Sequence, residues 1–320
     1  MRIVVLSGGQ SPERNVSLVT AKAIQVALED LGHRVTMLDP GADLPHQLWQ
    51  QAQQGCEFVW IALHGAGGED GTVQAMLDWL GLPYQGPGYL ASALAMDKWV
   101  SKQVFAAVGL PTPNWIPIDL KWQSSPTWAD CTDRLGTPVV VKPVATGSTV
   151  GISIARTAAE FDRSIAAAKA FGDRLLCEQY IAGKELTVAV MDDCVLPPIE
   201  IVPTAGEFYD YEAKYAPGGS RHLIPTTLSE SAERQAAAIA QQAYSALHCE
   251  GVARVDLRVD ADEQSWLLEV NTLPGMTPTS LVPDAAAALG WSFTDLVRRM
   301  LEAGLKRQHT VLPVAANQYK

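Results

Sequence analysis

Three stretches of this chain combine residue types and spacings that can do chemistry. In the run Val141-Lys142-Pro143-Val144-Ala145-Thr146-Gly147-Ser148-Thr149-Val150-Gly151, a lysine leaves an apolar strand and enters a turn of small residues before a second strand begins. Glycine lets backbone N–H groups approach an anion and Lys142 adds a point charge, so the run can cradle phosphate. The same composition also makes an ordinary hairpin with a solvated lysine. The second stretch, Arg254-Val255-Asp256-Leu257-Arg258 with Leu268-Glu269-Val270-Asn271, sets polar groups into two otherwise apolar strands. Side chains at i and i+2 share a face of a strand, so Glu269 points with Asn271 and Arg254 with Asp256. Oxygens of Asp256, Glu269 and Asn271, completed by waters and phosphate oxygens, form a shell suited to Mg²⁺. The third stretch, Leu63 to Thr72, holds four glycines between His64 and Gly71 beside His64 and Glu69. That density of small residues suits a backbone-lined pocket, although a histidine by itself is more often structural. A further turn, Ser7 to Arg14, opens a helix whose N-terminal dipole attracts anions. It lacks the G-x-G-x-x-G spacing of a dinucleotide site.

These residues need elements to hold them. Ile3 to Leu6, Val35 to Leu38 and Phe58 to Ala62 read as short buried strands. They are separated by a helical stretch from Val16 to Leu31 and a Gln-rich helix near Leu48. This β-α-β-α-β order predicts an α/β fold opening with a parallel sheet whose faces are covered by helices. Ligands of such sheets bind beyond the carboxyl ends of the strands, where both the Ser7–Arg14 and His64–Gly71 turns lie. Farther along, the spacing predicts one helix from Tyr89 through Val108 and a surface excursion from Lys121 to Asp130. Strands follow at Val139–Val141, Ile152–Ala155 and Leu175–Glu178, with a helix over Ala158–Phe171. The last third carries more strands, a polar-aromatic loop from Thr204 to Arg221 and an Ala-rich helix from Glu230 to Leu247. Strands at Ala253–Val259 and Trp266–Val270 precede the closing helices.

The length of 320 residues implies two or three domains. With 24 Lys and Arg against 35 Asp and Glu, the net charge is −11. So acidic a chain repels nucleic acid, yet a few well-placed donors still suffice for one nucleotide. The five cysteines are scattered, with no C-x-x-C pair, which argues against a zinc cage or disulfide framework and for a reducing compartment. No run reaches the ~18 apolar residues of a membrane span, and the four apolar residues after Arg2 are too few for a signal peptide. A cytoplasmic location is expected, with no membrane or nucleic-acid partner.

Taken in order, several pieces resemble the D-alanine–D-alanine ligase family across nearly the whole chain. They are Ser7-Gly8-Gly9 with Pro12-Glu13-Arg14, His64-Gly65 with Gly68-Glu69-Asp70-Gly71, Met96-Asp97-Lys98, Lys142-Pro143 and Gly147-Ser148. The series continues with Glu178, Glu185-Leu186-Thr187-Val188, Tyr209-Asp210-Tyr211 with Lys214-Tyr215, Arg254-Val255-Asp256 and Glu269 to Thr277. The resemblance implies a three-domain ATP-grasp fold: an N-terminal parallel-sheet domain over 1–96 and two α+β domains, 97–181 and 182–308, that clasp ATP, with a tail over 309–320. It implies an ATP-dependent ligase that condenses two D-alanines through a D-alanyl phosphate for peptidoglycan precursors, and a homodimer. A ligase joining D-alanine to D-lactate or D-serine is the alternative.

By the same resemblance, Lys98 and Lys142 hold phosphates, Glu178, Gln179 and Ile181 border the adenine, and Glu185 binds the ribose. Asp256, Glu269 and Asn271 ligate Mg²⁺ or Mn²⁺, two ions in all. Glu13, with Ser148 and Tyr215 beside it, takes the ammonium of the first D-alanine, and His64 lies in the substrate pocket. Lys214, Ser280 and the Leu281 backbone N–H receive the carboxylate of the second D-alanine. Arg254 and the Gly275 N–H face the tetrahedral oxyanion, and the Thr204–Arg221 segment closes over the site. Thr146, Ala66 and Gln179 depart from the family pattern, where an acid, an arginine and a lysine are frequent.

Overall fold

The computed structural model describes residues 1–147, 150–204 and 218–307. Three strands, β1 (Arg2–Leu6), β2 (Arg34–Leu38) and β3 (Phe58–Ile61), form a parallel sheet in the order β2-β1-β3. The connecting helices are α1 (Arg14–Asp30) and α2 (Leu44–Gln53), followed by α3 (Thr72–Leu80). This is the predicted β-α-β-α-β order. β1 and β3 are buried on both faces, as a continuous apolar run requires. Val4, Leu6, Val59 and Ile61 pack on one side with Leu48 and Leu77, while Ile3, Val5, Phe58 and Trp60 pack on the other with Ile24 and Leu28.

The predicted helix from Tyr89 to Val108 is two helices, α4 (Tyr89–Met96) and α5 (Lys98–Ala107). Asp97 between them is extended, with φ −87° and ψ 96°, and its side chain accepts from Val100 N at 3.0 Å. The Lys98 N–H donates to the Val144 carbonyl at 3.1 Å instead of continuing the helical ladder. A capping aspartate inside an apolar periodic run reads as a surface residue in sequence, and the break it makes turns Lys98 inward.

β4 (Trp115–Asp119), which the sequence reading passed over, pairs with β7 (Arg174–Gln179). With β5 (Val139–Pro143) and β6 (Ser153–Ala155) they form an antiparallel sheet, β4-β7-β5-β6, covered by α6 (Trp128–Leu135) and α7 (Ala158–Lys169). Pro111 and Pro113 before β4 and Pro117 within it hid the strand, because proline removes ladder donors. The expected excursion to Asp130 ends earlier: a reciprocal cap between Thr127 and Asp130 starts α6 at Trp128.

The third sheet runs β11-β10-β8-β12-β13, with the short β9 (Cys194–Val195) on β8. Its strands are β8 (Lys184–Met191), β10 (Ile199–Pro203), β11 (Ser220–Leu223), β12 (Val252–Val259) and β13 (Ser265–Asn271). The long helix α8 (Glu230–Ala246) covers one face through Ala236, Ala240 and Ala243. α9 (Leu281–Ala288) and α10 (Phe293–Lys306) return to the first sheet, where Val297, Met300 and Leu301 join Ile24 and Leu28. Elements from both ends of the chain therefore share one core.

Candidate active site

A cavity of about 510 Å³ lies where the three sheets meet. Its N-terminal wall is built by the two turns singled out in the sequence. Ser17 on α1 accepts from Gly8 N at 2.8 Å and donates to Ala62 O at 2.6 Å, tying the first turn to the end of β3. Arg14 donates to Gly9 O at 2.9 Å and pairs with Asp39 at 2.5 Å. Glu13, at the N-cap of α1, is thereby held buried against the cavity. In the second turn Asp70 accepts from Gly67 N at 2.7 Å and Thr72 N at 2.9 Å, and Gln74 donates to Gly68 O at 2.7 Å. Gly65 has φ +70°, and a methyl group there would lie 3.0 Å from Glu13 Oε2, so only glycine passes between this loop and the acid. His64 is buried with Nδ1 3.2 Å from Glu69 Oε1 and Nε2 3.4 Å from Thr20 Oγ1.

The phosphate-cradle run reaches across to these acids. A Cβ on Gly147 would lie 3.5 Å from Glu13 Oε2 and 3.7 Å from Glu69 Oε2. Lys98 donates to Thr146 O at 2.7 Å and sits 3.1 Å from Glu269, joining the small-residue run to β13. Among the departures from the family pattern, Thr146 donates its hydroxyl to Val150 O at 3.0 Å. Gln179 bonds Asn114 through both backbone and side chain, at 2.9 and 3.4 Å.

On the third sheet, β12 alternates as its sequence predicts: Ala253, Val255 and Leu257 enter the core, while Arg254, Asp256 and Arg258 lie on the other face. Glu269 is registered opposite Asp256 and Asn271 opposite Arg254. The next pair is Leu257 with Leu267, so Leu268 is an extra residue in β13 and the strand bulges there. Strict alternation would have placed Leu267 in line with Glu269 and Asn271. The bulge instead sends Leu267 into the core and leaves the acid and amide beside Asp256. Arg254 grips Asp256 with two bonds of 2.8 Å, and Thr187 donates to Asp256 at 2.6 Å. Asn271 Oδ1 accepts from Leu273 N at 3.0 Å. These hard oxygen donors share one face and draw Arg254 and Lys98 as counter-charges, a donor set that fits a small divalent cation.

A further wall of the cavity is the start of α9. Ser280 is its N-cap, with Oγ 2.9 Å from Thr277 N and 2.8 Å from Thr277 Oγ1, and Leu281 is the first helical residue. N–H groups at a helix start attract carboxylates. A Cβ on Gly275 would come within 3.0 Å of Ser280 Oγ, so the backbone passes close there.

Of the predicted site residues, the cavity gathers Glu13, His64, Lys98, Arg254, Glu269, Asn271, Gly275, Ser280 and Leu281. Lys142, Glu178, Gln179, Ile181, Glu185 and Asp256 do not line it. Lys142 and Glu178 face each other across β5 and β7, 2.5 Å apart. Glu185 is bound 3.2 Å from Arg258, whose Nε donates to Ile181 O at 3.2 Å. Ser148, Lys214 and Tyr215, with most of the Thr204–Arg221 segment, lie outside the described residues. Sequence reasoning set Glu69 beside His64 without a role, quoted Arg258 and Thr277 only within longer stretches, and passed over Lys102. Arg258 continues the i, i+2 series of Arg254 and Asp256. Lys102 stands one turn after Lys98, and the buried stripe of α5 is Lys98, Ser101, Lys102 and Phe105. Burial opposes ionisation of Glu178, but Lys102 and Lys142 outweigh it and hold its carboxyl below the usual carboxylate range.

Residues 104–302 match the family described as D-ala D-ala ligase C-terminus, and residues 39–87 match D-ala D-ala ligase N-terminus. The D-alanine–D-alanine ligase of Synechococcus sp. (strain JA-3-3Ab) is 62% identical over 308 residues, covering 96% of this chain and 94% of that one. The ligase of Gloeobacter violaceus is 53% identical, with 95% and 100% covered. A crystal structure of D-alanine–D-alanine ligase from Bacillus anthracis complexed with ATP matches with a TM-score of 0.82 at 32% identity, covering 95% of this chain and 97% of that one. Sequence match, fold and site geometry agree: the chain belongs to the D-alanine–D-alanine ligase family.

Proposed function

We propose that the chain is an ATP-dependent D-alanine–D-alanine ligase, making the dipeptide through a D-alanyl phosphate for peptidoglycan synthesis. The observation that carries this reading is one cavity bringing a buried acid, Glu13, together with Lys98, Arg254 and a helix start at Ser280–Leu281. The first D-alanine sits with its ammonium on Glu13, in reach of Glu69 across the Gly147 turn. Its carboxylate takes the γ-phosphoryl group of ATP, whose phosphates lie against Lys98 and Lys142. The second D-alanine is held by its carboxylate at Ser280 and the Leu281 N–H, and its amine, once deprotonated, attacks the acyl carbon; the C–N bond forms as the C–O bond to phosphate breaks and inorganic phosphate leaves. Arg254 and the Gly275 N–H stabilise the oxyanion. Glu178, Gln179 and Ile181 border the adenine, and Glu185, fixed by Arg258, binds the ribose.

Asp256, Glu269 and Asn271 hold Mg²⁺ or Mn²⁺, two ions in all, and the bound metal neutralises charge along the phosphates. By family pattern, Ser148 and Tyr215 act with Glu13 on the first D-alanine and Lys214 acts on the carboxylate of the second. We propose the division into 1–96, 97–181 and 182–308, with 309–320 as a tail; one sheet lying in each of the three parts supports it. We further propose a homodimer acting in the cytoplasm. All five cysteines are free thiols, and among the described residues no helix is long and apolar enough to cross a membrane. α3 and α4 also expose Trp79, Tyr89 and Leu90, apolar groups that a second copy can cover.

Phosphate release from ATP, with D-alanine, with L-alanine and with no amino acid, tests the assignment. Release should require D-alanine and a divalent metal together. Equal release with L-alanine overturns it, because Glu13 and the Gly147 turn should orient one hand only.

A further inference from the structure

Lys102 is completely buried, with no exposed surface, although its side chain ends in an ammonium. Its Nζ lies 2.5 Å from Glu178 Oε1 and donates to Thr112 Oγ1 at 2.6 Å, and its third side faces the Trp115 ring at 5.3 Å. The Thr112 hydroxyl in turn donates a hydrogen bond to Leu267 O, at 2.8 Å, beside the β13 bulge. The ammonium therefore meets a carboxylate oxygen, a hydroxyl and an aromatic face. Glu178 is shared: Oε1 faces Lys102 and Oε2 accepts from Lys142 at 2.5 Å. Two buried cations on one buried carboxylate are more than charge balance requires, and each costs several kcal/mol of desolvation. The fold alone gives no reason to keep both.

The two lysines differ in what they can do. Lys142 leaves the end of β5 at the small-residue run that approaches Glu13, whereas Lys102 is locked into α5 by Thr112 and Trp115. We propose that Lys102 is a positioning residue for the nucleotide: it remains as the permanent counter-ion of Glu178, so that Lys142 can leave that carboxylate for the phosphates of ATP. Without Lys102, the departure of Lys142 would strand an ionised carboxylate in the interior, a state too costly to populate. Lys142 would then stay on Glu178 and the phosphates would lose a donor. The inference rests on the ligase reading above.

A pH signature separates this role from a merely structural one. The charged groups facing Lys102 among the described residues are Glu178 from β7 and Lys142 from β5. β4, the Thr112 segment and β13 present Trp115, a hydroxyl and a carbonyl, and α8 presents the apolar Ala236, Ile239 and Ala240 towards α5. Burial pushes Lys102 down to about 8, Glu178 holds it up, and the nearby Lys142 cation lowers it further. ATP binding draws Lys142 to the phosphates and adds anionic charge nearby. Both changes favour the protonated form of Lys102, so binding must take up protons where Lys102 is partly deprotonated in the free enzyme.

The experiment is calorimetric titration of the full chain with ATP and magnesium, without D-alanine, at pH 7 and near pH 8.5 in buffers of different ionisation heat. Expected results are uptake of a fraction of a proton near pH 8.5, little at pH 7, and loss of that uptake in Lys102→Met. The variant should also bind ATP about tenfold more weakly at pH 7, the order for one charge-assisted contact. Uptake that persists in Lys102→Met, or is absent from the unaltered enzyme, overturns the proposal. So does unchanged ATP affinity in the variant. The unaltered chain tests the linkage even if the variant fails to fold, and failure of that chain to bind ATP at all would strike the ligase reading itself.

Discussion

Arg254→Ala tests the proposed chemistry most directly, because the guanidinium has two separable jobs. One edge of the fork is held by Asp256 through two bonds of 2.8 Å, with both side chains 12% exposed. That geometry fixes the guanidinium against the cavity instead of leaving a mobile charge. Losing one preorganised oxyanion donor costs ~2.7–4 kcal/mol of transition-state stabilisation. At about 1.4 kcal/mol per decade, kcat should fall by two to three orders of magnitude. The second job is structural. Removing one partner of a buried pair costs about 3–5 kcal/mol when the remaining charge is stranded. Asp256 keeps its bond from Thr187, at 2.6 Å, and gains a counter-charge whenever a divalent metal binds. Thermal stability should therefore drop sharply in a chelator and largely recover with Mg²⁺, while kcat stays low in saturating metal. Arg254→Lys, which keeps charge but not the fork, should fall between the two in kcat. Steady-state phosphate release with saturating D-alanine and ATP gives kcat, and a melting curve with and without metal gives the other readout. A variant whose kcat stays within a few-fold of the parent while only KM rises would refute the oxyanion role and reduce Arg254 to substrate binding.

Glu269→Gln keeps the size of the side chain but removes the charge opposite Asp256, so turnover should fall on the order of 100-fold or more at ordinary metal concentrations. Near-parental kcat would mean that Glu269 is not a metal ligand. Gly65→Ala should lose about 1 kcal/mol for its positive φ and push Glu13 aside, since the new methyl would stand 3.0 Å from Oε2. The KM for D-alanine should rise by about tenfold or more with ATP affinity intact, and an unchanged KM would show that Glu13 does not hold substrate.

The sequence by itself determined the pieces whose signals are local. Apolar runs bounded by turns gave the parallel sheet and the alternation of strand and helix along the chain. Alternation in β12 placed Arg254 and Asp256 on one face, and glycine density marked the loops that approach Glu13. Tertiary structure decided what depends on partners distant along the chain. Asp97 breaks a continuous helical pattern because its carboxylate caps the next helix and meets Arg174. The bulge at Leu268 is invisible to a period-two reading, since Leu267 and Leu268 are equally apolar. It arises where Leu267 also bonds Pro111 and Thr112. Lys102 looks like an ordinary surface lysine on a helix until α5 is set beside Glu178 and Trp115. Local propensity tells which residues can form an element, but which face is buried, and which charge must find a partner there, is fixed only when the elements pack.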